Sequence, residues 1–188
     1  MTGAHREASL GGGIHGRFQP FHNGHREYVL RAGRRCERVI VGITAPDPTA
    51  ALKETENPRR HEPASNPFTY FERLLMIRDS LLAEGLSPGG FALVPFPIHK
   101  PELVGYYVPE EVVHFVRVYS GWEEEKVHRL RDGGALVEVL DPGKEKRVSG
   151  VEVRRLIGEG LPWEHLVPPS TAKIVCRILA EDPSRLLS

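Results

Sequence analysis

The sequence has little cysteine, no long apolar run and no excess of charge of one sign. Its two cysteines, Cys36 and Cys176, lie far apart without the spacing of a metal site, which suits small buried residues in a reducing compartment. No apolar stretch approaches the ~20 residues that cross a bilayer, and the first residues lack the apolar block of a signal peptide. The sequence therefore predicts a cytoplasmic protein that has no membrane segment.

The charges balance, because 25 Lys and Arg face 25 Asp and Glu. A neutral chain has no global field that draws it to nucleic acid or to a membrane, so any anion must bind a local cluster. A length of 188 residues suits one α/β domain that needs neither disulfides nor a structural metal. We expect a flexible leader at 1–12 and a single domain at 13–182, closed by a C-terminal helix. Whether the protein forms a homo-oligomer stays open.

Strand and helix patterns alternate along the chain. Apolar runs predict a short strand around Ile14 and four more strands, at 37–43, 91–96, 115–119 and 136–140. Helical patterns stand between and after them, at 26–31, 68–78, 122–130, 150–157 and 170–180. This βα alternation predicts the α/β class, with a doubly wound and mostly parallel five-stranded sheet.

Two irregular segments need separate interpretation. Residues 11–16 contain G-x-G-x-x-G, the dinucleotide fingerprint, but no strand precedes it and no helix opens at its end, so we expect it to lead into the first strand. Residues 44–65 hold several prolines and no periodicity, which predicts a long loop. Because this loop carries Arg59, Arg60 and His61, a solvated basic loop and a lid over phosphates are both open.

The stretch at 16–25, Gly-Arg-Phe-Gln-Pro-Phe-His-Asn-Gly-His, lies where the first predicted strand leads into the first predicted helix. At that place in an open parallel sheet, free N–H groups and the positive end of the helix dipole face an anion. His22 and His25 can both face one phosphate, and Gly24 lets the backbone approach closely. Arg17 adds a forked donor for further phosphate oxygens, so the stretch predicts a phosphate site.

A second candidate segment follows the last predicted strand. Ser149 and Glu152 have the spacing of a capping box. Arg154 then falls in the first turn of the helix, where a cation opposes the helix dipole unless an anion lies there. This local conflict marks Arg154 as a site residue, and it places Ser149 near the same anion.

These segments resemble a known family. Residues 22–25 match the HxGH signature of the nucleotidyltransferase superfamily, and residues 16–20 resemble the G-R-F-Q-P opening of its archaeal-type nicotinamide-mononucleotide adenylyltransferase branch. Residues 66–73, 148–155 and 162–168 resemble N-P-F-T-x-x-E-R, I-S-x-T-E-I-R and P-W-E-x-L-V-P of that branch. The resemblance runs from about residue 13 to residue 180, and it rests on four motifs in order.

The resemblance implies a Rossmann-like fold and transfer of a nucleoside monophosphate from a nucleoside triphosphate, with release of pyrophosphate. It assigns His22 and His25 to the transition state and Arg154 to the triphosphate, and these three are the predicted catalytic residues. The predicted nucleotide-binding residues are Gly16, Arg17, Phe18, Gln19, Gly24, Ser149, Gly150 and Arg154. Mg²⁺ is the implied cofactor, and because the triphosphate mainly holds it, we expect no metal site in the protein.

The segment that recognises the nicotinamide ring in this branch reads roughly P-x-P-D-I-N-x-x-x-x-W. Residues 95–104 lack the Asp, carry His99 for the Asn and carry Val104 for the Trp. Basic groups suit a small, highly charged acceptor better than a flat pyridine. The predicted acceptor-binding residues are Arg59, Arg60, His61, His99, Lys100 and Trp122.

Three functions follow from these observations. Relatives of this fold in phosphonate antibiotic pathways transfer CMP from CTP to small phosphonates such as phosphonoformate, and the altered segment favours this function. The alternative is a nicotinamide- or nicotinate-mononucleotide adenylyltransferase that uses ATP. A non-catalytic nucleotide sensor is a further alternative, although the intact HxGH pair argues against it.

Overall fold

The computed structural model describes residues 9–47, 62–119, 121–141 and 148–186. Five strands form one sheet, and each pairs with its neighbours in parallel. In chain order they are β1 (Ser9–Gly16), β2 (Cys36–Thr44), β3 (Phe91–Phe96), β4 (Val113–Arg117) and β5 (Leu136–Leu140). Their order across the sheet is β3-β2-β1-β4-β5. The predicted α/β class and the doubly wound parallel sheet are confirmed.

Within the described ranges, five α-helices connect and flank the strands. They are α1 (Asn23–Gly33), α2 (Tyr70–Ala83), α3 (Gly121–Asp132), α4 (Gly150–Gly158) and α5 (Pro169–Glu181). Short 3-10 turns lie at Pro63–Ser65, Pro101–Tyr106, Glu164–Leu166 and Pro183–Leu186. Among the described residues, no helix is both long and apolar enough to cross a membrane.

The first strand begins earlier than the sequence predicts. Residues 9–12, which we assigned to a flexible leader, belong to β1, where Gly11, Gly12 and Gly13 pair with Arg38, Val39 and Ile40 of β2. The error arose because glycine carries no apolar pattern. β4 is also shifted, since it starts at Val113 and ends at Arg117 instead of spanning 115–119.

The glycines of β1 are required by packing. A Cβ at Gly12 would lie 2.6 Å from Cys36 Sγ and 2.7 Å from the ring of Phe115. A Cβ at Gly11 would lie 2.9 Å from a methyl group of Val112. Neighbouring side chains therefore press directly onto the central strand, which explains the G-x-G-x-x-G pattern without a dinucleotide site.

Two apolar cores lie on opposite faces of the sheet. The larger includes Ile14, Val41, Ile43, Met76 and Val175, and it packs the sheet against α1, α2 and α5. The second core is formed on the face that α3 covers, by Ile40, Phe96, Ile98, Val108, Val112, Val116, Val127 and Leu130. Alternate residues of a strand point to opposite faces, so β2 and β4 contribute to both cores. The carboxyl ends of β1 and β4, where the chain changes direction across the sheet, are left as the natural place for a ligand.

Candidate active site

The HxGH segment forms the start of α1. His22 is the N-cap residue, and its Nδ1 accepts a hydrogen bond of 3.3 Å from the backbone N–H of His25. In return, the backbone N–H of His22 donates to Nδ1 of His25, also at 3.3 Å. The two imidazoles thus make a reciprocal capping box, a role that Ser or Thr and Glu usually fill.

This capping fixes which nitrogen of each ring carries hydrogen. Because each Nδ1 accepts a hydrogen bond, a neutral imidazole must hold its hydrogen on Nε2. The rings stack with centroids 3.6 Å apart and an interplanar angle of 19°. His22 is buried and His25 is half-buried. The result is a rigid pair of parallel rings with two Nε2–H donors.

The Gly16-to-Pro20 segment supports this pair from inside. Phe18 takes a positive φ of 54°, and its buried ring packs edge-on against His25 with centroids 4.9 Å apart. The Gln19 carboxamide exchanges two hydrogen bonds of 2.9 Å with the backbone of Phe68. We predicted Phe18 and Gln19 as nucleotide-binding residues, but their side chains are directed into the protein. They hold His25 and the backbone of Phe68 in place, and their nucleotide-binding role stays a prediction.

The first turn of α4 lies against the same segment. Ser149 caps α4 by accepting a 3.2 Å hydrogen bond from the N–H of Glu152, as its sequence spacing predicts. Arg154 Nη1 donates a 2.6 Å hydrogen bond to the carbonyl of Gln19. A Cβ at Gly150 would lie 2.7 Å from that carbonyl oxygen. The N-terminal ends of α1 and α4 therefore converge, and two positive dipole ends face the same site.

Several predicted nucleotide-binding residues meet at this convergence. A Cβ at Gly24 would lie 3.2 Å from the ring of His22 and 3.8 Å from the carbonyl oxygen of Val148, the residue before Ser149. Arg17 Nη1 donates to Asn66 Oδ1 at 3.2 Å, which places the N-P-F-T segment beside the guanidinium. Burial lowers the pKa of Arg154, yet a guanidinium keeps its charge at neutral pH. The site is thus built from hydrogen-bond donors and positive charge.

Sequence analysis missed Arg73 as a residue of this site. Arg73 is only 2% exposed and donates hydrogen bonds of 2.8 Å to the carbonyls of Arg17, Thr44 and Ala45. Its Nε also donates to the carbonyl of Thr69 at 3.2 Å. Burial is the main cause that lowers the pKa of Arg73, to about 10, so it stays a cation. One buried guanidinium therefore ties together the ends of β1 and β2 and the start of α2.

Of the six predicted acceptor-binding residues, only His99 and Lys100 are described with their side chains. Arg59, Arg60 and His61 lie outside the described residues, and so does the side chain of Trp122, whose backbone belongs to the first turn of α3. His99 and Lys100 are exposed, and His99 Nδ1 is 3.3 Å from Arg129 Nη1 of α3. The structure thus places the His99 segment against α3, and its role in acceptor binding stays a prediction.

The donor set bears on metal binding. Among the described residues, no group of three or more His, Cys, Asp or Glu side chains is arranged to hold a metal ion. The segment at 16–25 contains no carboxylate at all. A divalent cation at this site would therefore depend on oxygens of the nucleotide, which suits Mg²⁺ because it usually binds through substrate phosphates.

One substitution tests the contact between α4 and the Gly16-to-Pro20 segment. Gly150→Ala would place a methyl group 2.7 Å from the Gln19 carbonyl and must shift α4 or that segment. Because displacements of this size disturb catalytic geometry, we expect kcat/KM for the nucleoside triphosphate to fall by about 10- to 100-fold. Steady-state kinetics measure this effect. Gly89→Ala is the matched control, since nothing lies within 4 Å of its Cβ; equal activities of the two variants would contradict the contact.

The fold and the HxGH pair define a nucleotidyltransferase, and solved structures share the fold. A bifunctional NMN adenylyltransferase/ADP ribose pyrophosphatase from Francisella tularensis, solved with AMP and a manganese ion, superimposes with a TM-score of 0.65 at 16% identity. The match covers 94% of this chain and 51% of that one, so the chain spans about half the length of the solved enzyme.

The cytidylyltransferase-like family profile matches residues 14–156, and the chain belongs to this family. It is 47% identical over 164 residues to the phosphonoformate cytidylyltransferase of Streptomyces viridochromogenes. This match covers 87% of this chain and 89% of the relative. It is 32% identical over 165 residues to the nicotinamide-nucleotide adenylyltransferase of Methanospirillum hungatei, with 87% and 85% covered. The predicted nucleotidyltransferase class is confirmed.

Proposed function

We propose that this protein transfers CMP from CTP to phosphonoformate and releases pyrophosphate. The observation that carries nucleotidyl transfer is the stacked His22–His25 pair, whose Nε2–H donors lie where α1 and α4 converge. The choice of a small acceptor is supported by the phosphonoformate cytidylyltransferase relative at 47% identity. It is also supported by the segment at 95–104, in which Phe96 and Ile98 are packed into the second core.

The reaction is a single displacement at phosphorus. An oxygen of the acceptor phosphonate attacks the α-phosphorus of CTP and forms a new P–O bond, while the bond from that phosphorus to the bridging oxygen breaks. The electron pair of the broken bond leaves with pyrophosphate. His22 and His25 donate hydrogen bonds to the α-phosphoryl oxygens and to the bridging oxygen as negative charge grows there. Preorganised donors of this kind each lower the barrier by about 3 kcal/mol.

The two arginines hold the triphosphate. Arg17 and Arg154 are anchored by different groups, because one is bonded to Asn66 and the other to the Gln19 carbonyl. A guanidinium presents five donors in a fixed fork, which suits each arginine to bind the β- and γ-phosphates. Mg²⁺, held mainly by the triphosphate, would supply additional neutralisation of the phosphate charge when bound.

The experiment is a pyrophosphate-release assay with CTP or ATP, each paired with phosphonoformate or nicotinamide mononucleotide. We expect CTP with phosphonoformate to give a kcat/KM about 100-fold above any other pair, since a site selects by differential transition-state binding. ATP with nicotinamide mononucleotide as the preferred pair would overturn the proposal and favour the adenylyltransferase function, which the relative at 32% identity represents. Nucleotide binding without release of pyrophosphate from any pair would indicate a sensor.

A further inference from the structure

A buried polar cluster on the α3 face of the sheet has no part in the reaction described so far. It consists of His15, His114 and Lys126, which are 4%, 2% and 5% exposed. His15 Nε2 and His114 Nδ1 are 3.1 Å apart and share a hydrogen bond. Lys126 Nζ donates a 2.9 Å hydrogen bond to the carbonyl of His15. The cluster is therefore one connected unit built from β1, β4 and α3.

The cluster lies next to the start of the segment at 16–25. His15 immediately precedes Gly16 at the carboxyl end of β1. Its ring stacks on that of Phe96, the last residue of β3, with centroids 4.2 Å apart and an interplanar angle of 20°. The two rings meet across β2 because Gly42 has no side chain, and a Cβ there would lie 2.8 Å from Phe96. The face of the sheet below the HxGH segment thus carries a ring pair and an ammonium group.

The electrostatics of the cluster are unusual for a core. Burial lowers the pKa of His15 well below its ordinary value, and Lys126 lowers it further. The same two causes bring the pKa of His114 to about 4. Both imidazoles are therefore neutral at neutral pH, and the positive charge of the cluster lies on Lys126.

This arrangement costs free energy that an apolar core would not. Moving an ammonium group out of water carries a penalty of several kcal/mol, and a buried polar atom without a partner adds to it. His15 Nδ1 is such an atom, because it is buried and has no hydrogen-bond partner among the described residues. Groups that destabilise the fold locally are found at functional sites. This free-energy cost therefore points to a ligand-binding role for the cluster and not to a role in packing.

We propose that Lys126, with His15 and His114 around it, is the specificity-determining cation for the carboxylate of the acceptor. The inference rests on the proposed function, in which the phosphonate end of the acceptor must reach the α-phosphorus at the HxGH pair. So short a molecule keeps its carboxylate within a few ångströms of the segment at 16–25, which directly follows His15 in the chain. Arg17 and Arg154 already serve the triphosphate, whereas Lys126 approaches the end of β1 from α3.

A purely structural role for Lys126 makes a different prediction. Its hydrogen bond to the His15 carbonyl fixes the end of β1. A side chain with this structural role alone would need a hydrogen-bond donor but no charge. Lys126→Gln keeps an N–H donor and removes the charge, whereas Lys126→Met removes both. The pair of variants separates the two roles. Lys173→Met on the exposed surface of α5 is the matched control for loss of a lysine charge.

Steady-state kinetics with each substrate varied in turn provide the first test. We expect Lys126→Gln and Lys126→Met both to raise KM for phosphonoformate by about 30-fold, the effect of losing one charge-assisted hydrogen bond. KM for CTP should change by no more than about twofold, since uniform effects on both substrates would mark a structural change. The inference is overturned if Lys126→Gln behaves as the unmodified protein, or if both KM values rise together.

A binding measurement separates this inference from the proposed function. Imidazole NMR signals of His15 and His114, assigned with His114→Gln, are followed as phosphonoformate is added without CTP. We expect both signals to shift in the unmodified protein and to stay unchanged in Lys126→Gln. No shift in the unmodified protein sinks the inference even if turnover is observed. Shifts without turnover would leave the anion site standing and remove the proposed function.

Discussion

Replacement of His25 by alanine is expected to lower kcat by at least about 100-fold, since one preorganised donor to the transition state is lost. The same change removes the Nδ1 acceptor for the His22 N–H and the ring on which His22 stacks. We therefore expect the free energy of unfolding to fall as well, but only by about 1 kcal/mol, the usual effect of losing a helix cap. Single-turnover rates and urea unfolding measure the two effects separately.

The control for this prediction is His128→Ala, which removes an exposed histidine from α3. That variant should keep the unmodified rate and stability. A His25→Ala protein that turns over at the unmodified rate would exclude His25 from the mechanism. A stability loss large enough to unfold the protein would mean that the ring is chiefly a packing element.

Replacement of Arg73 by methionine is expected to have the largest effect on stability. Methionine fills most of the space, but the carbonyls of Arg17, Thr44 and Ala45 lose the donor that Arg73 supplies inside the protein. Each buried acceptor left without a partner costs about 1 kcal/mol or more, so the free energy of unfolding should fall by at least about 3 kcal/mol. Arg73→Lys should recover only part of this loss, since an ammonium group cannot reproduce the fork.

Urea unfolding of Arg73→Met, Arg73→Lys and Arg78→Met tests this prediction. Arg78 lies on the same helix and pairs with its neighbour Asp79 at the surface, so its loss should cost less than about 1 kcal/mol. If Arg73→Met were as stable as Arg78→Met, the three carbonyls would have found water or new donors. The role of Arg73 in joining the three segments would then be rejected.

Local signals in the sequence were sufficient for much of the fold. β3 and β5 have the bounds that their apolar runs predict, at 91–96 and 136–140. The predicted capping box of α2 is complete, since Thr69 and Glu72 exchange hydrogen bonds of 2.7 and 3.2 Å. These features depend on residues within one turn or one strand. The start of β1 was missed because its glycines are set by distant side chains such as Phe115 and Val112.

The same distinction between local signals and distant contacts applies to the candidate site. The structure brings the HxGH pair, Gly150 and Arg154 together, as their position at two helix starts predicted. The buried partners of that site were not accessible from sequence, because burial is a property of the tertiary fold. The inward direction of Gln19 and the role of Arg73 depend on hydrogen bonds across 49 and 56 positions in the chain. The inward direction of Phe18 depends on its positive φ. The basic residues 59–61 lie outside the described part of the chain.

The hydrogen bond from Arg154 to the Gln19 carbonyl has a consequence for affinity. An arginine that is free in solution loses rotational freedom when a phosphate immobilises it, and each such side chain weakens binding by about 0.5–1.5 kcal/mol. Arg154 is already held in one orientation by an acceptor within the protein. That entropy is lost when the chain folds, so in the proposed function the nucleotide would meet a guanidinium that has little motion left to lose.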